Sequence, residues 1–398
     1  MRISTSQIYN AGIESIQRQQ AELNKTQLQL ASGKRMLAPS DDPAGAVQAL
    51  QFRESIARLD QFERNGALAE GRLNHEETVL AQAMDSLQRV RELAVQGNNA
   101  TQTPETRAAI AQEVRQQLDQ LYQLANTRDA NGEYLFGGFA SLDAPFAATA
   151  TGAVYNGGDQ AREVAISDIR RVALGDPGDA VFMGMAEGNG RFVVTEGAAN
   201  TGSGVVQTLA TTDGAAWDGT PRSIEFTAAD TWEARDPDGN LVAAGNYAPG
   251  ETIAFEGLSV GLQGTPAAGD TFELRPAGTR DMFSVYQDLA DALEQPVTGP
   301  GDQARQSGAI GRVLADLDQA VGQISAVRST VGARLNAIDS QATQRESEQL
   351  ELNRTLSEIE DLDYAEAISR FNLRMVGLQA AQQSYSMLSR MSLFDFIR

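Results

Sequence analysis

The side chains that most often carry out catalysis are scarce in this sequence. Its 398 residues include one histidine and no cysteine, so thiolate nucleophiles and cysteine-ligated metals are excluded. A zinc-protease motif needs two histidines one helical turn apart, and His75 stands alone in a charged helical stretch. The glycine-rich patterns that cradle phosphate, GxxxxGK and GxGxxG, are also missing. We expect His75 to lie on a solvated helix face.

Two runs of carboxylates could serve chemistry, but each fits a turn better. Asp41 and Asp42 are neighbours, whose side chains usually diverge in a turn, whereas an acid–base pair must face one substrate atom. Residues 236–240 begin like a calcium loop, but the glutamate that ends such a loop is missing. Scattered acidic residues in the middle of the chain leave a carbohydrate site open as an alternative. We predict no catalytic, cofactor or metal site, and therefore a protein that is not an enzyme.

The composition also restricts the partners. The chain carries 53 acidic and 32 basic side chains, a formal net charge of −21, and it therefore repels nucleic-acid phosphates and anionic lipid. Its first residues, Met1–Gln7, lack the basic and apolar regions of a cleaved signal peptide. No apolar run approaches the ~20 residues of a membrane span. We expect no nucleic-acid partner, no membrane insertion and, if the protein leaves the cell, a route that reads no such signal.

Apolar stripes at both ends of the chain carry more information than any candidate for catalysis. The first stripe repeats at spacings of three and four but contains Gln20 and Gln27, and the last, over residues 364–388, has heptad spacing. A helix that cannot bury its stripe within its own chain tends to bury it against neighbours. We therefore predict that both terminal helices are disordered in the monomer and order on assembly. The predicted assembly interface comprises Ile13, Ile16, Leu23, Leu30, Tyr364, Ile368, Phe371, Met375, Leu378, Tyr385 and Leu388.

The segment after the first stripe is typical of a link between helices. Gly33 and Pro39 interrupt the helical pattern. Asp42 is suited to cap the next helix, whose first position tolerates Pro43 because the missing N–H needs no partner there. Together with Asp41, these residues form the predicted hinge and cap, a flexible turn that lets the long helices repack.

A longer apolar stripe precedes the last helix. Stepping by fours and threes from Ile310 to Ile359 meets twelve apolar residues in fifteen positions, which is a sustained heptad pattern. Its expected partners are the helices of residues 45–130, far away in sequence. The sequence thus predicts a helical rod assembled from both halves of the chain.

Between the helical halves the period changes to two. Polar and apolar residues alternate over 162–166, 191–195, 223–227, 252–256 and 271–275, and turn residues separate these runs. The pattern predicts an inserted antiparallel β domain, and hence an α+β multidomain fold. The predicted parts are a terminal helix pair (1–40 and 361–398), a helical rod (41–138 and 281–360) and the β domain (139–280).

Several motifs resemble the bacterial flagellin family, and more closely its hook–filament junction branch. The match covers both helical arms well and the β domain loosely. The similar segments are residues 1–9 (MRISTSQIY), 30–35 (LASGKR), 39–45 (PSDDPAG), 126–138 (NTRDANGEYLFGG), 269–272 (GDTF) and 392–398 (SLFDFIR).

This resemblance implies a structural subunit of the bacterial flagellum that adapts the hook to the filament. The implied partners are further copies in a ring, hook-associated protein 1 on one side, flagellin on the other, and a cytoplasmic export chaperone at the C-terminal helix. The implied location is extracellular, after export through the flagellar type III apparatus. Two alternatives stay open: a flagellin that polymerises alone, and a secreted glycan-binding or glycan-hydrolysing β module on helical arms.

Overall fold

The computed structural model describes the backbone of residues 5–390 and the side chains of residue 7 and residues 10–387. Helices form both ends of this part of the chain, and strands occupy its middle. The helices are α1 (Thr5–Ser32), α2 (Pro43–Gly97), α3 (Pro104–Ala125), α4 (Gly178–Phe182), α5 (Met282–Glu294), α6 (Pro300–Glu360) and α7 (Tyr364–Arg390). The strands are β1 (Phe146–Thr149), β2 (Gly152–Tyr155), β3 (Glu163–Ala165), β4 (Arg171–Ala173), β5 (Met185–Ala186), β6 (Phe192–Glu196), β7 (Val205–Thr211), β8 (Arg222–Ala228), β9 (Thr231–Arg235), β10 (Leu241–Asn246), β11 (Thr252–Phe255), β12 (Leu258–Gln263), β13 (Thr271–Pro276) and β14 (Thr279–Arg280). Within residues 5–390, no helix is both long and apolar enough to cross a bilayer.

Local sequence signals set several helix boundaries. At the start of α3, the Thr103 hydroxyl accepts a hydrogen bond from the Thr106 N–H (3.3 Å), and the Thr106 hydroxyl accepts one from the Thr103 N–H (2.9 Å). This reciprocal capping box satisfies backbone donors that the first turn leaves free. Along α6, all fifteen stripe positions from Ile310 to Ile359 are buried or half-buried, which confirms the heptad prediction. The α+β fold class is also confirmed.

The chain packs as two compact units. The first comprises the residues up to 64 and from 340 onwards, and the second comprises residues 65–339. The long helices α2 and α6 therefore contribute residues to both units. These limits differ in position from those of the three predicted parts, which stay a prediction.

The second unit contains a helical core in which α5 is almost completely enclosed. The Phe283 ring stacks on Tyr122 of α3 with ring centroids 4.4 Å apart, and Leu289 is fully buried. The Tyr286 hydroxyl lies 3.2 Å from the Ser86 hydroxyl, so its polar end is also satisfied. Because α3 and β2 both pack against α5, this short helix buries its apolar residues within the chain.

A second core in the same unit belongs to the β sheets. A five-stranded sheet (order β10-β9-β8-β13-β6) and a three-stranded sheet (order β11-β12-β7) are antiparallel and enclose it. The five alternating runs coincide with β3, β6, β8, β11 and β13, so the strand prediction is confirmed. Phe146, Ile166 and Phe182 bury their side chains in the helical core instead. The separate β core thus begins at Phe192, well after residue 139.

One carboxyl of the second unit is buried where helix α2 meets the loop before α4. Glu76 is 1% exposed, and its Oε1 accepts a hydrogen bond from the Asp176 N–H at 2.9 Å. Its Oε2 has no hydrogen-bond partner among the described residues. Burial, together with the nearby Asp176 carboxylate, raises the pKa of Glu76 to about 8. That carboxylate is itself held by both terminal nitrogens of Arg334 at 2.8 Å.

Candidate assembly interface

The terminal helices α1 and α7 pair antiparallel in the first unit. Near one end of the pair, a Cβ placed on Gly12 would lie 3.1 Å from the Tyr385 ring, so that glycine lets the ring approach the α1 backbone. At the other end, a Cβ on Gly33 would lie 2.9 Å from the Tyr364 hydroxyl. The predicted possibility that the last helix pairs with the first is therefore confirmed.

Arg374 of α7 forms hydrogen bonds to α1 near the middle of this helix pair. Its guanidinium donates to the Glu22 carbonyl oxygen at 2.8 Å and to the Thr26 hydroxyl at 2.5 Å. It also lies 2.9 Å from the Glu22 carboxylate. Thr26 is 1% exposed, so the seam between the helices contains a satisfied polar contact. The apolar stripes alone gave no sign of this arginine, although only three charged residues occur in 364–387.

At its polar positions, the buried stripe of α1 lies one residue earlier in the sequence than predicted. The seam passes through the half-buried Gln19 and the buried Thr26, whereas Gln20 and Gln27 are exposed. Ile13 is exposed as well, and Gly12 takes its place in the seam. The physical reason is Tyr385, whose ring fits against a glycine and not against an isoleucine.

The predicted interface residues divide into two groups in the structure. One group lies in or beside the α1–α7 seam: Ile16, Leu23, Leu30, Phe371 and Tyr385 are half-buried and Leu378 is buried. The other group, Ile13, Tyr364, Ile368 and Met375, is exposed. The Leu388 side chain falls outside the described residues. The seam group is packed within the chain, whereas the exposed group is open to solvent.

Helix α7 exposes large apolar side chains to solvent, interspersed with uncharged polar ones such as Asn372 and Gln379. Its charged residues before Arg390 are Glu366, Arg370 and Arg374, which follow at four-residue spacing and so form one edge of the helix. Val376 is 61% exposed on the side of the helix away from these charges, and Leu373, three residues after Arg370, is 71% exposed at the border with them. We call this surface the outer α7 face. Its large apolar residues are Tyr364, Ile368, Leu373, Met375, Val376 and Met387.

The link between α1 and α2 is held by backbone pairing to the link between α6 and α7. The Arg35 N–H donates to the Glu360 carbonyl oxygen (2.7 Å), and the Leu362 N–H donates to the Gly33 carbonyl oxygen (2.9 Å). Gly33 has a φ of +69°, which residues with a Cβ rarely adopt. Lys34 completes the pairing in an isolated antiparallel bridge with Asp361.

Side chains brace the same link. The Asp41 carboxylate accepts hydrogen bonds from the Lys25 ammonium (2.6 Å) and the Leu37 N–H (3.1 Å). These bonds, that of Lys25 foremost, hold the pKa of Asp41 below its ordinary value. The Asp42 Oδ1 accepts the Gly45 N–H at 2.9 Å, the geometry of an N-cap for α2. A hinge at this link would have to break these bonds before it moved.

The residues with potential for catalysis do not converge. His75 is half-buried on α2, less solvated than predicted, and no group of three or more potential metal ligands occurs among the described residues. The Asp236 carboxylate accepts two hydrogen bonds from Asn240, at 2.8 and 2.9 Å, and so closes a turn. The outer α7 face is therefore the candidate functional surface.

Comparison with known proteins shows which family the chain resembles. A family described as the bacterial flagellin N-terminal helical region matches residues 3–141, and the corresponding C-terminal helical region matches residues 314–397. The flagellar hook-associated protein 3 of Escherichia coli is 24% identical over 396 residues, which cover 99% of each chain. The crystal structure of FlgL from Xanthomonas campestris is 35% identical with a TM-score of 0.72, and covers 77% of this chain and 99% of its own. The flagellar junction protein FlgL from Legionella pneumophila is 31% identical with a TM-score of 0.72, and covers 79% and 100%.

The chain therefore belongs to the bacterial flagellin family. The relatives that align with it from end to end carry the name hook-associated protein 3. Filament proteins and flagellins align with 29% to 46% of it. Within the family it stands with the hook-associated proteins 3, and flagellin is a more distant relative.

Proposed function

We propose that this chain is a structural subunit, without enzymatic activity, of the junction between the hook and the filament of the bacterial flagellum. Relatives of known structure that are 31% to 35% identical carry the same fold, and one of them is described as a flagellar junction protein. Full-length similarity to hook-associated protein 3 supports the same role. A flagellin role is disfavoured, because the match to flagellins is confined to part of the chain.

The outer α7 face is the observation that carries the proposal. A helix on the surface of a soluble protein normally turns charged residues to water, and contiguous exposed apolar patches mark interaction sites. Burying one large aliphatic side chain completely contributes ~1.5–3 kcal/mol. Covering Leu373 and Val376 together would thus supply several kcal/mol toward the entropic cost of association. We assign this face to contacts with further copies of the chain.

The partners follow from this role and are part of the proposal. Further copies would form a ring, hook-associated protein 1 would bind on the hook side and flagellin on the filament side. Before export, a cytoplasmic chaperone would cover the C-terminal helix, whose apolar face otherwise favours aggregation. The assembled protein would lie outside the cell on the flagellum.

The link residues Gly33, Pro39, Asp41, Asp42 and Pro43 are proposed to set the direction of the terminal helix pair. The hydrogen bonds to Asp41 and Asp42 support a braced corner more than a loose joint. A protein that joins the hook to the filament needs a defined direction of its terminal helix pair in each bound state. A change of state would then exchange one set of hydrogen bonds for another.

A deletion strain tests the function. Cells lacking the chain should retain hooks, lose attached filaments and release flagellin into the medium, and the wild-type chain should restore the filaments. The variant Val376→Asp should fold but fail to restore them, because it places a charge on the outer α7 face. The matched control is Leu142→Asp in a loop of the second unit, a site that is also exposed (77%, against 61% for Val376), and it should restore them.

Opposite results separate the alternatives. Attached filaments in the deletion strain would contradict the junction role. If purified protein extended filament seeds indefinitely, the chain would be a flagellin. If both aspartate variants restored filaments, the outer α7 face would have no part in assembly.

A further inference from the structure

A groove beside the helix link has an apolar lining that no described residue of the first unit covers. Its volume is 580 Å³, and its lining residues lie between positions 34 and 53, with Glu360 added from α6. Leu37, Val47 and Leu50 line it and are 38%, 57% and 66% exposed. Apolar side chains this exposed and this close together are typical of a binding groove.

At one end of the groove, two cationic lining residues share a single carboxylate. The Glu360 carboxylate is shared by Arg53 (2.6 Å) and Lys34 (3.4 Å). Two cations therefore face one carboxylate, and the side chains of Arg53 and Lys34 are 52% and 49% exposed. A ligand with apolar side chains next to a carboxylate would match both the lining and this end.

We propose that this groove receives the C-terminal segment 391–398 of a second copy of the chain. The segment, Met-Ser-Leu-Phe-Asp-Phe-Ile-Arg, has five apolar residues, and Asp395 stands between two phenylalanines. Asp395 would supply a second carboxylate to Lys34 and Arg53, which share that of Glu360. The outer α7 face fits less well, because it carries no charge to meet Lys34 and Arg53.

The lengths of the helix and the segment require that the occupant come from another copy. Tyr364, the first residue of α7, contacts Gly33 and so stands beside the groove. From there to Arg390 the helix advances ~39 Å at 1.5 Å per residue. Eight further residues, even fully extended, span at most ~29 Å. While α7 is helical, as it is in the structure, segment 391–398 therefore cannot return to the groove of its own chain.

Such a contact is head to tail. The groove and the segment are different surfaces, so each copy can give one and receive one, and repetition closes a ring or continues as a helix. The inference rests on the proposed function, since it supplies one contact between copies in the ring. It remains separable from that function, because the deletion phenotype does not depend on which surfaces meet.

Cross-linking between single-cysteine chains tests the contact directly. The natural sequence has no cysteine, so full-length Leu50→Cys and Phe396→Cys chains, one with a size tag, can be mixed and joined by a short bifunctional maleimide. The mixed product should exceed, by about tenfold, the product from Phe396→Cys with the control Leu241→Cys, a change equivalent to ~1.4 kcal/mol of contact free energy. Leu241 is a suitable control because it is 57% exposed in the β sheet.

Adding Asp395→Lys to the Phe396→Cys chain should remove the excess product, since it places a cation against Lys34 and Arg53. A product no greater than the control would overturn the inference. So would a larger product from Val376→Cys with Leu50→Cys, which would assign the groove to the outer α7 face. If either result accompanied the predicted deletion phenotype, the junction function would stand and only the docking of segment 391–398 would be lost.

Discussion

Helices α5 and α7 are both rich in apolar residues, yet those of α5 are mostly buried and many of those of α7 are exposed. In α5, Phe283 and Leu289 are fully buried, because α3 and β2 pack against the helix. In α7, Leu373 and Val376 are 71% and 61% exposed, and among the described elements α1 is its main neighbour. The difference shows that an apolar helix surface is completed only where neighbours arrive on each side. For α5 those neighbours belong to the chain, and for α7 we infer that they belong to other molecules.

Hydrogen exchange should give the largest contrast between these two helices. Amides of α5 should exchange only on global unfolding, with protection approaching the ~5–15 kcal/mol stability of a typical protein. Amides within 5–30 and 370–390 should exchange with little protection in the monomer and become protected on assembly. Mass spectrometry of the free and assembled protein measures both. Strong protection of α7 in the monomer would contradict the partner dependence of the terminal helices.

A matched pair of leucine truncations should give the next largest effect. Leu289→Ala removes a fully buried side chain from α5 and should lower the free energy of unfolding by ~2–5 kcal/mol. Leu373→Ala removes an exposed side chain from α7 and should change it by less than ~0.5 kcal/mol. Denaturant titration of both monomers checks this. Equal losses would mean that α7 is already enclosed.

The buried Glu76 carboxyl should make the stability of the second unit depend on pH. The pKa of Glu76 is raised in the folded state, so its contribution is present below the ordinary carboxyl pKa and is lost as pH rises toward about 8. The variant Glu76→Gln should remove this loss, and the difference in unfolding free energy should grow with pH to on the order of a few kcal/mol. Thermal or denaturant unfolding from pH 5 to 9 measures it. Parallel curves for the two proteins would contradict a buried protonated carboxyl.

Two helix caps should give the smallest contrast. Thr103→Ala breaks the capping box of α3 in the second unit and should lower global stability by ~1 kcal/mol. Asp42→Ala removes the cap of α2 in the first unit. If that unit opens separately, this change should leave the unfolding midpoint of the second unit unmoved. Measuring the unfolding midpoint of the second unit for both variants in one denaturant series tests this expectation.

Most of the fold could be predicted because the governing signals are local. The stripe of α6, the five alternating strand runs and the Thr103 cap depend on spacing within a few turns or residues, and the structure contains all three. These features could be predicted from sequence because periodicity and backbone conformation are properties of short segments.

Other features needed contacts between distant parts of the chain. The seam of α1 passes through Gln19 and Thr26 because Tyr385 requires Gly12 beneath its ring, and no local pattern encodes that choice. Arg374 and the buried Glu76 likewise acquire their roles only from partners far away in sequence.

The sequence by itself determined which segments are helices and strands, and which residues are available to face a core. Only the tertiary structure decided which apolar surfaces are covered, since burial depends on the neighbours that folding brings together. That is why the predicted interface residues divided between a seam within the chain and an exposed surface.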